Sequence, residues 1–269
     1  MNKIKLVDSS FSHSELGYSS DFQPSKIFKW DRENIDLNGN EDIVFTDNRL
    51  LDAKNKNNSI GWLIEPIEIL PHIYSNAVYL KENFKKIYTH EKTLIDTGDP
   101  FELVPFGCCW IKPEDQKMYN KTKLVSIIAS NKTQTKGHNL RHEAIRELKD
   151  KMDVFGRGYN EINYKLSGLE DYKFSVVIEN CKRDYWFTEK LIDCLVTGTI
   201  PLYWGCPSIG DFFDVRGFFI FDTVNELKEI VENLTEESYN SKLEFVRKNF
   251  DMAKKYLLPD DIIYKKIKK

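Results

Sequence analysis

The densest run of chemically useful side chains lies between Tyr172 and Pro207, YKFSVVIENCKRDYWFTEKLIDCLVTGTIPLYWGCP. Glu179 and Asn180 come first, and Thr188, Glu189 and Lys190 follow after a short polar loop. A lysine in that place can neutralise a diphosphate, and a glutamate accepts from ribose or sugar hydroxyls. Asn180 both donates and accepts, and Trp186 offers a flat face for stacking. These types together suit a sugar nucleotide. They also suit an ordinary helix start, because a first-turn glutamate is favoured by the helix dipole alone.

The elements that must carry these residues follow from the flanking pattern. Phe174 to Ile178 is a short apolar run, as expected of a strand buried on both faces. Thr188 is a good N-cap, Leu191, Ile192 and Leu195 make an apolar helical face, and Gly198 stops the helix. Thr199 to Trp204 is the next strand. The polar residues therefore sit at the carboxyl end of a strand and the amino end of a helix, where open α/β sheets bind phosphate-bearing ligands.

Upstream, Lys123 to Ala129 reads as another buried strand, and Ser130-Asn131 begins a polar loop. His138 to Asp150 is an amphipathic helix with Leu140, Ala144, Ile145 and Leu148 on one face. Arg141 falls in its first turn, which the helix dipole disfavours; a forked contact to phosphate oxygens explains that placement. Asp153 to Phe155 is a short strand, and Gly156-Arg157-Gly158 turns the chain. Arg157 is either a second phosphate contact or the partner of a carboxylate.

In the N-terminal part, Ile4 to Val7, Ile43 to Thr46, Ile60 to Ile64, Lys86 to Thr89 and Phe101 to Pro105 read as strands. Ser9 to Ser25 reads as loop and Asn76 to Phe84 as a short helix. Glu65 stands at a strand end beside Pro66, a candidate position for a general base; Glu68 is its rival. His90, at another strand end, is read as a hydrogen-bonded structural residue. Past Pro207 the pattern predicts a short helix at Ser208 to Phe213, a strand at Gly217 to Phe221 and a helix at Thr223 to Leu234. A long helix at Glu236 to Leu257, ended by Pro259, follows.

The ordered set Glu179-Asn180, Thr188-Glu189-Lys190, Gly198-Thr199-Ile200-Pro201 and Tyr203-Trp204-Gly205 resembles the donor-binding signature of the α-1,3-fucosyltransferase family, glycosyltransferase family 10. Val125, Ser130-Asn131, Arg141 and Asp153-Val154-Phe155-Gly156-Arg157-Gly158 extend the likeness upstream. It covers Lys123 to Asp222 and is weak in the N-terminal third. The resemblance implies an α/β chain of the GT-B type, two Rossmann-like lobes facing a cleft. Residues 1–110 would be the acceptor-binding lobe and 111–269 the nucleotide-sugar lobe, with the last helix packing back on the first.

It further implies inverting transfer of fucose, or a related sugar, from GDP-fucose to a glycan hydroxyl. Glu65 would be the base and Arg141 a pyrophosphate contact. Ser130, Asn131, Asn180, Tyr185, Trp186, Glu189 and Lys190 would complete the donor site. Where the family usually has tyrosine, two residues before the threonine, this chain has Trp186, with Tyr185 one residue earlier. The stacking face is kept and a phenol hydroxyl is lost. No Asp-x-Asp triplet occurs in the sequence, so the expectation is phosphate neutralisation by Arg141, Lys190 and a helix N-terminus, with no obligatory metal. Two alternatives stay open: a nucleotide-sugar-binding protein without transferase activity, and a transferase using another nucleotide sugar.

The 269 residues are enough for two modest α/β domains. A net charge of −3 gives no reason to expect nucleic acid as a partner. The five cysteines are odd in number and lack zinc spacing, which fits reduced thiols and a cytoplasmic location. The start, MNKIKLVDSSF, has no apolar run suited to a signal or a transmembrane segment, as in a soluble bacterial or viral member of such a family. The tail IIYKKIKK is basic with apolar spacing, a pattern compatible with peripheral contact to an anionic membrane; the favoured reading is a short solvated end.

Overall fold

Apolar runs flanked by polar turns recur along the chain, and each becomes a parallel strand. The computed structural model describes residues 1–11 and 14–269. The described part divides into two units, the first made of residues 1–106, 184–186 and 258–269, the second of 107–183 and 187–257.

The first unit is built on a six-stranded parallel sheet. Its strands are β1 (Asn2–Val7), β2 (Phe28–Asp31), β3 (Ile43–Thr46), β4 (Ser59–Trp62), β5 (Lys86–Thr89) and β6 (Phe101–Leu103). Their order is β2-β1-β3-β4-β5-β6, with Val7 opposite Phe45 and Thr46 opposite Trp62. Helices α1 (Pro71–Leu80) and α2 (Lys92–Ile95) connect strands of this sheet. One apolar cluster gathers Ile4, Leu6, Phe28, Trp30, Val44, Ile60 and Trp62; another gathers Ile43, Phe45, Leu63, Ile73, Ala77, Phe84 and Ile87. The alternation of β3 between these clusters is the strand period of two.

The second unit holds a five-stranded parallel sheet of β7 (Lys123–Ile128), β8 (Asp153–Phe155), β9 (Tyr172–Ile178), β10 (Ile200–Trp204) and β11 (Phe219–Ile220), in the order β11-β10-β9-β7-β8. Every residue of β9 and β10 is buried, as a parallel sheet covered on both faces requires. The helices are α3 (Lys136–Leu148), α4 (Glu189–Leu195), α5 (Val224–Glu232), α6 (Glu236–Asn240) and α7 (Leu243–Ala253). Ala144, Ile145 and Leu148 of α3 join Leu227 and Val231 of α5 in the core with the sheet. In each unit the strand order reverses beside the first strand. The crevices at the carboxyl ends of β1/β3 and of β7/β9 are therefore the places where such sheets take ligands.

Four expectations are corrected. The long helix at Glu236 to Leu257 is broken into α6, α7 and a 3-10 turn at Lys254–Tyr256. Pro259 does not end a helix; it opens α8 (Pro259–Ile267), where the missing N–H of proline is harmless. The tail is no solvated end, because Ile263 and Tyr264 are buried in the first unit's core and Ile262 and Ile267 pack against it. Strand β2 was not expected; its in-out burial at Phe28, Lys29 and Trp30 is nevertheless the period-two signal of a strand. The loop read at Ser9 to Ser25 includes residues 12 and 13, which lie outside the described residues. Among the described residues no helix is long and apolar enough to cross a membrane.

Candidate active site

The turn after β9 is fixed by the start of α3. Gly137 N–H donates to Asn180 O at 3.0 Å. A Cβ on Gly137 would lie 1.8 Å from Glu179 O, so only glycine permits this approach. Helix α3 begins at Lys136, which puts Arg141 in its second turn, one turn later than the sequence suggested. From there the buried guanidinium reaches the same turn: Nε donates to Ile178 O at 2.8 Å, and Nη2 to Ile178 O and to Asn180 Oδ1, the latter at 2.9 Å. Burial lowers the Arg141 pKa from its usual value and Glu179 and Glu189 oppose the shift; guanidinium remains charged regardless. Arg141 and Asn180 are thus brought together as expected.

The start of α4 holds a surprise. The buried Glu179 carboxylate accepts from Thr188 N–H at 2.8 Å and from Thr188 Oγ1–H at 2.7 Å. A side chain of the protein already occupies the place foreseen for a ligand phosphate, and α4 is only seven residues long. Lys190 Nζ donates to Thr188 Oγ1 at 3.0 Å and to Glu189 Oε1 at 3.1 Å, and lies 3.6 Å from Glu179 Oε2. Lys165 continues the chain of charges, 3.5 Å from Glu189 Oε1 and 3.1 Å from Asp193 Oδ2. Asp193 in turn accepts from Trp110 N–H at 2.6 Å, and Lys165 Nζ lies 4.3 Å from the centre of the Trp110 ring.

These cations are therefore not waiting bare for a phosphate; they form a compensated network with three carboxylates. Burial would raise the Glu189 carboxyl, but Lys190 and Lys165 outweigh it and hold the group below the usual carboxylate range. Asp193, deeper, is pushed up by burial against the pull of Lys165. Glu189 thus stays ionised, which a hydroxyl-accepting residue needs. Ser130 and Asn131 lie at the end of β7 across the switch point from Asn180, Ser130 half-buried and Asn131 exposed.

In the first unit the residues after β4 are held through all four of their backbone polar groups. Asp47 Oδ1 accepts from Ile64 N–H at 2.8 Å and Glu65 N–H at 3.3 Å. Trp186 Nε1–H donates to Ile64 O at 3.3 Å, and His90 Nε2 is 3.2 Å from the same oxygen. Tyr74 O–H donates to Glu65 O at 2.6 Å. Asp47 is almost wholly buried, takes Ser10 Oγ–H on its other oxygen at 2.7 Å and has φ of +44°, a conformation uncommon outside glycine, asparagine and aspartate. Burial pushes its carboxyl up to about 6, against the bonds from Ile64, Ser10 and Glu65. Glu65 is half-buried on this clamped turn, while Glu68 is exposed in the next one.

Tyr185 and Trp186 belong to the first unit, apart from Arg141, Asn180, Glu189 and Lys190 of the second. Trp186 is 2% exposed, so the flat face expected to stack on a ligand is covered. Its ring packs 6.0 Å from that of His90, and its indole N–H serves the Glu65 turn. Tyr185 is half-buried with φ of +59°. His90 is a buried structural residue, as read. Arg157 is exposed, and Lys173 is buried with Nζ on Lys121 O at 3.0 Å. Sequence reasoning missed Asp47, Glu179 as a cap, Lys165 and Asp193. Of these only Asp193 carried a local signal, a carboxylate among Leu191, Ile192, Cys194 and Leu195. Two surface cavities of about 400 Å³, one beside β11 and α5 and one between β5 and α8, contain none of these residues. Among the described residues no cluster of His, Cys, Asp and Glu has the form of a metal site.

The two switch-point sheets define the class. A crystal structure of an alpha1,3-fucosyltransferase with GDP aligns with 95% of this chain and 89% of its own, at a TM-score of 0.56 and 17% identity. That likeness shows the fold, which is GT-B, an architecture of two Rossmann-like units used by glycosyltransferases. Residues 118–258, just over half of the chain, match the family model described as Glycosyltransferase family 10 (fucosyltransferase) C-term, and the chain belongs to that family.

Among curated relatives, the alpha-(1,3)-fucosyltransferase FucT of Helicobacter pylori is 43% identical over 61 residues, 23% of this chain and 13% of that protein. Alpha-(1,3)-fucosyltransferase B of Drosophila melanogaster is 37% identical over 81 residues, 29% of this chain and 18% of that protein. The chain therefore matches less than a fifth of the length of either relative.

Proposed function

We propose that the protein transfers fucose from GDP-fucose to a hydroxyl of a glycan acceptor, with inversion at the anomeric carbon. The observation that carries this reading is the pairing of Arg141 with Asn180 at the β7/β9 switch point, inside the stretch that matches the fucosyltransferase model. The structural neighbour described with GDP supports the nucleotide. Arg141 meets the diphosphate through its Nη1, for which the described residues offer no hydrogen bond. Lys190, about a quarter of whose side chain is exposed, supplies the second charge. Glu189 and Asn180 take ribose or sugar hydroxyls, and Ser130 and Asn131 border the same crevice.

Glu65 accepts the proton of the acceptor hydroxyl. The oxygen attacks the anomeric carbon, the bond from that carbon to the β-phosphate oxygen breaks, and GDP leaves with the electron pair. What supports Glu65 over Glu68 is the clamp on its backbone: a base must be held in place to catalyse proton transfer. No step of this scheme calls for a divalent metal, because the leaving charge is met by side chains. The five buried thiols suit a reducing cytoplasm.

The test is release of GDP from GDP-fucose in the presence of glycan acceptors. Glu65→Gln is expected to lower turnover by about two orders of magnitude or more, with GDP affinity unchanged. Arg141→Ala is expected to weaken GDP binding. Tight GDP-fucose binding without any release of GDP or fucose would leave a binding protein, and wild-type turnover in Glu65→Gln would remove Glu65 as the base.

A further inference from the structure

We propose that Lys165 is a positioning residue for donor recognition: it holds the Glu189 carboxylate in the direction from which Glu189 accepts hydroxyls of the nucleotide sugar. The inference deepens the donor-site reading above and rests on it.

Glu189 is gripped from two sides on one atom. Lys190 Nζ lies 3.1 Å from Oε1, and Lys165 Nζ lies 3.5 Å from the same oxygen. One cation is enough to keep a carboxylate ionised. Two cations that reach one oxygen from different elements also set its rotation, and Oε2 is then the oxygen that takes a hydroxyl. The Glu189 side chain keeps 14% of its surface exposed, so a ligand can reach it. It stands close enough to Arg141 to act on that guanidinium's charge, as Glu179 does.

The two lysines are not equivalent. Lys190 is the chain neighbour of Glu189, and in the donor-site reading it meets the diphosphate. Lys165 is kept from following it. Its Nζ lies 3.1 Å from the buried Asp193 carboxylate and 4.3 Å from the centre of the Trp110 ring, and Trp110 N–H fixes Asp193 at 2.6 Å. The backbone is anchored as well. Lys165 opens the 3-10 turn Lys165–Gly168, and Ser126 Oγ–H of β7 donates to Gly168 O at 2.6 Å. Lys165 therefore stays on Glu189 when Lys190 is drawn to phosphate. A ligand-contacting side chain keeps its direction through supporting residues of this kind. Lys165, Glu189, Asp193 and Trp110 all belong to the second unit.

The test compares the double variant Lys165→Met, Asp193→Asn with Asp193→Asn alone. Removing Lys165 by itself strands a buried carboxylate, whereas removing both charges does not. The asparagine Oδ1 still accepts from Trp110 N–H, and Glu189 keeps Lys190. Calorimetry measures two preferences in each protein: GDP over 2′,3′-dideoxy-GDP for the ribose hydroxyls, and GDP-fucose over GDP for the sugar. Glu189→Gln shows which of them Glu189 carries. Both ligands of a pair bring the same diphosphate to the same protein, so a general loss of stability or charge cancels from the ratio. The preference that falls in Glu189→Gln is expected to fall by about 10-fold in the double variant, the low end for a hydrogen bond to a charged group. In Asp193→Asn alone it is expected to stay at the wild-type value. An unchanged preference in the double variant, while Glu189→Gln loses it, overturns the proposal and leaves the donor-site reading standing. A loss already complete in Asp193→Asn overturns it too, by giving the positioning to Asp193. If Glu189→Gln changes neither preference, the hydroxyl role of Glu189 and this proposal fall together.

Discussion

Asp47→Asn tests whether the clamp under Glu65 depends on a charge or only on an acceptor. The Asp47 carboxyl is pushed from 3.8 up to about 6. A carboxyl with a raised folded pKa binds its proton more tightly in the native state. Its contribution to stability is therefore fully present below the unfolded pKa and is lost as pH rises through the folded one. With about two units between the states at 1.36 kcal/mol each, ionised Asp47 costs about 3 kcal/mol at pH 8 and about 1.5 kcal/mol at pH 5. Asparagine avoids that cost and keeps the bonds: its Oδ1 accepts from Ile64 N–H and Glu65 N–H, its Nδ2 can donate to Ser10 Oγ, and it tolerates the positive φ of this position.

The variant should therefore gain on the wild type by about 1.5 kcal/mol more at pH 8 than at pH 5, a further rise in melting temperature of roughly 3–6 °C. Thermal and urea unfolding of both proteins at the two pH values reads this directly. Other titrating groups are common to both proteins and drop out of the difference. If Asp47→Asn instead loses ground as pH rises, the anion is stabilising and the raised pKa is wrong. Asp47→Ala removes the acceptor for both N–H groups and should lower turnover while leaving GDP affinity intact.

Lys165→Met removes the cation shared by Glu189 and Asp193 and leaves the buried Asp193 carboxylate without its lysine, while Glu189 keeps Lys190. A loss of about 3 kcal/mol is expected, the low end for breaking a buried pair. The loss should be larger at pH 8 than at pH 5 in urea unfolding, because acid neutralises the carboxylates. Gly137→Ala places a Cβ against Glu179 O and Asn180 O, both backbone atoms that cannot rotate away. It should lower stability by more than about 2 kcal/mol and weaken GDP binding together, as melting curves and calorimetry would show.

The second unit was the more legible half because β7, β9 and β10 are covered on both faces and so read as continuous apolar runs. In the first unit β3 and β5 were readable to the residue, whereas β2 is a four-residue edge strand with lysine and aspartate in it. The break between α6 and α7 falls at Ser241 and Lys242, neither of them a helix breaker, so nothing local announces it. The site divides in the same way. Arg141, Asn180, Glu189 and Lys190 were picked out by type, since the pattern put each near the end of a strand or the start of a helix. The partners that give them their state were not, because those contacts join residues with no sequence relation. Glu179 stood at a strand end with no role assigned to it, and is a cap for Thr188, nine residues on. Trp186 looked like a stacking face and instead bonds a carbonyl 122 residues earlier in the chain. The two cases have one origin. A polar side chain beside a crevice can satisfy either a ligand or the backbone that shapes the crevice, and residue type is the same in both cases. Only when every backbone N–H and C=O of the Glu65 turn is accounted for does the distinction appear: Asp47, Tyr74, His90 and Trp186 are engaged there. Lys190 keeps a quarter of its side chain exposed, and in the proposed donor site that solvent-facing part is what meets the diphosphate.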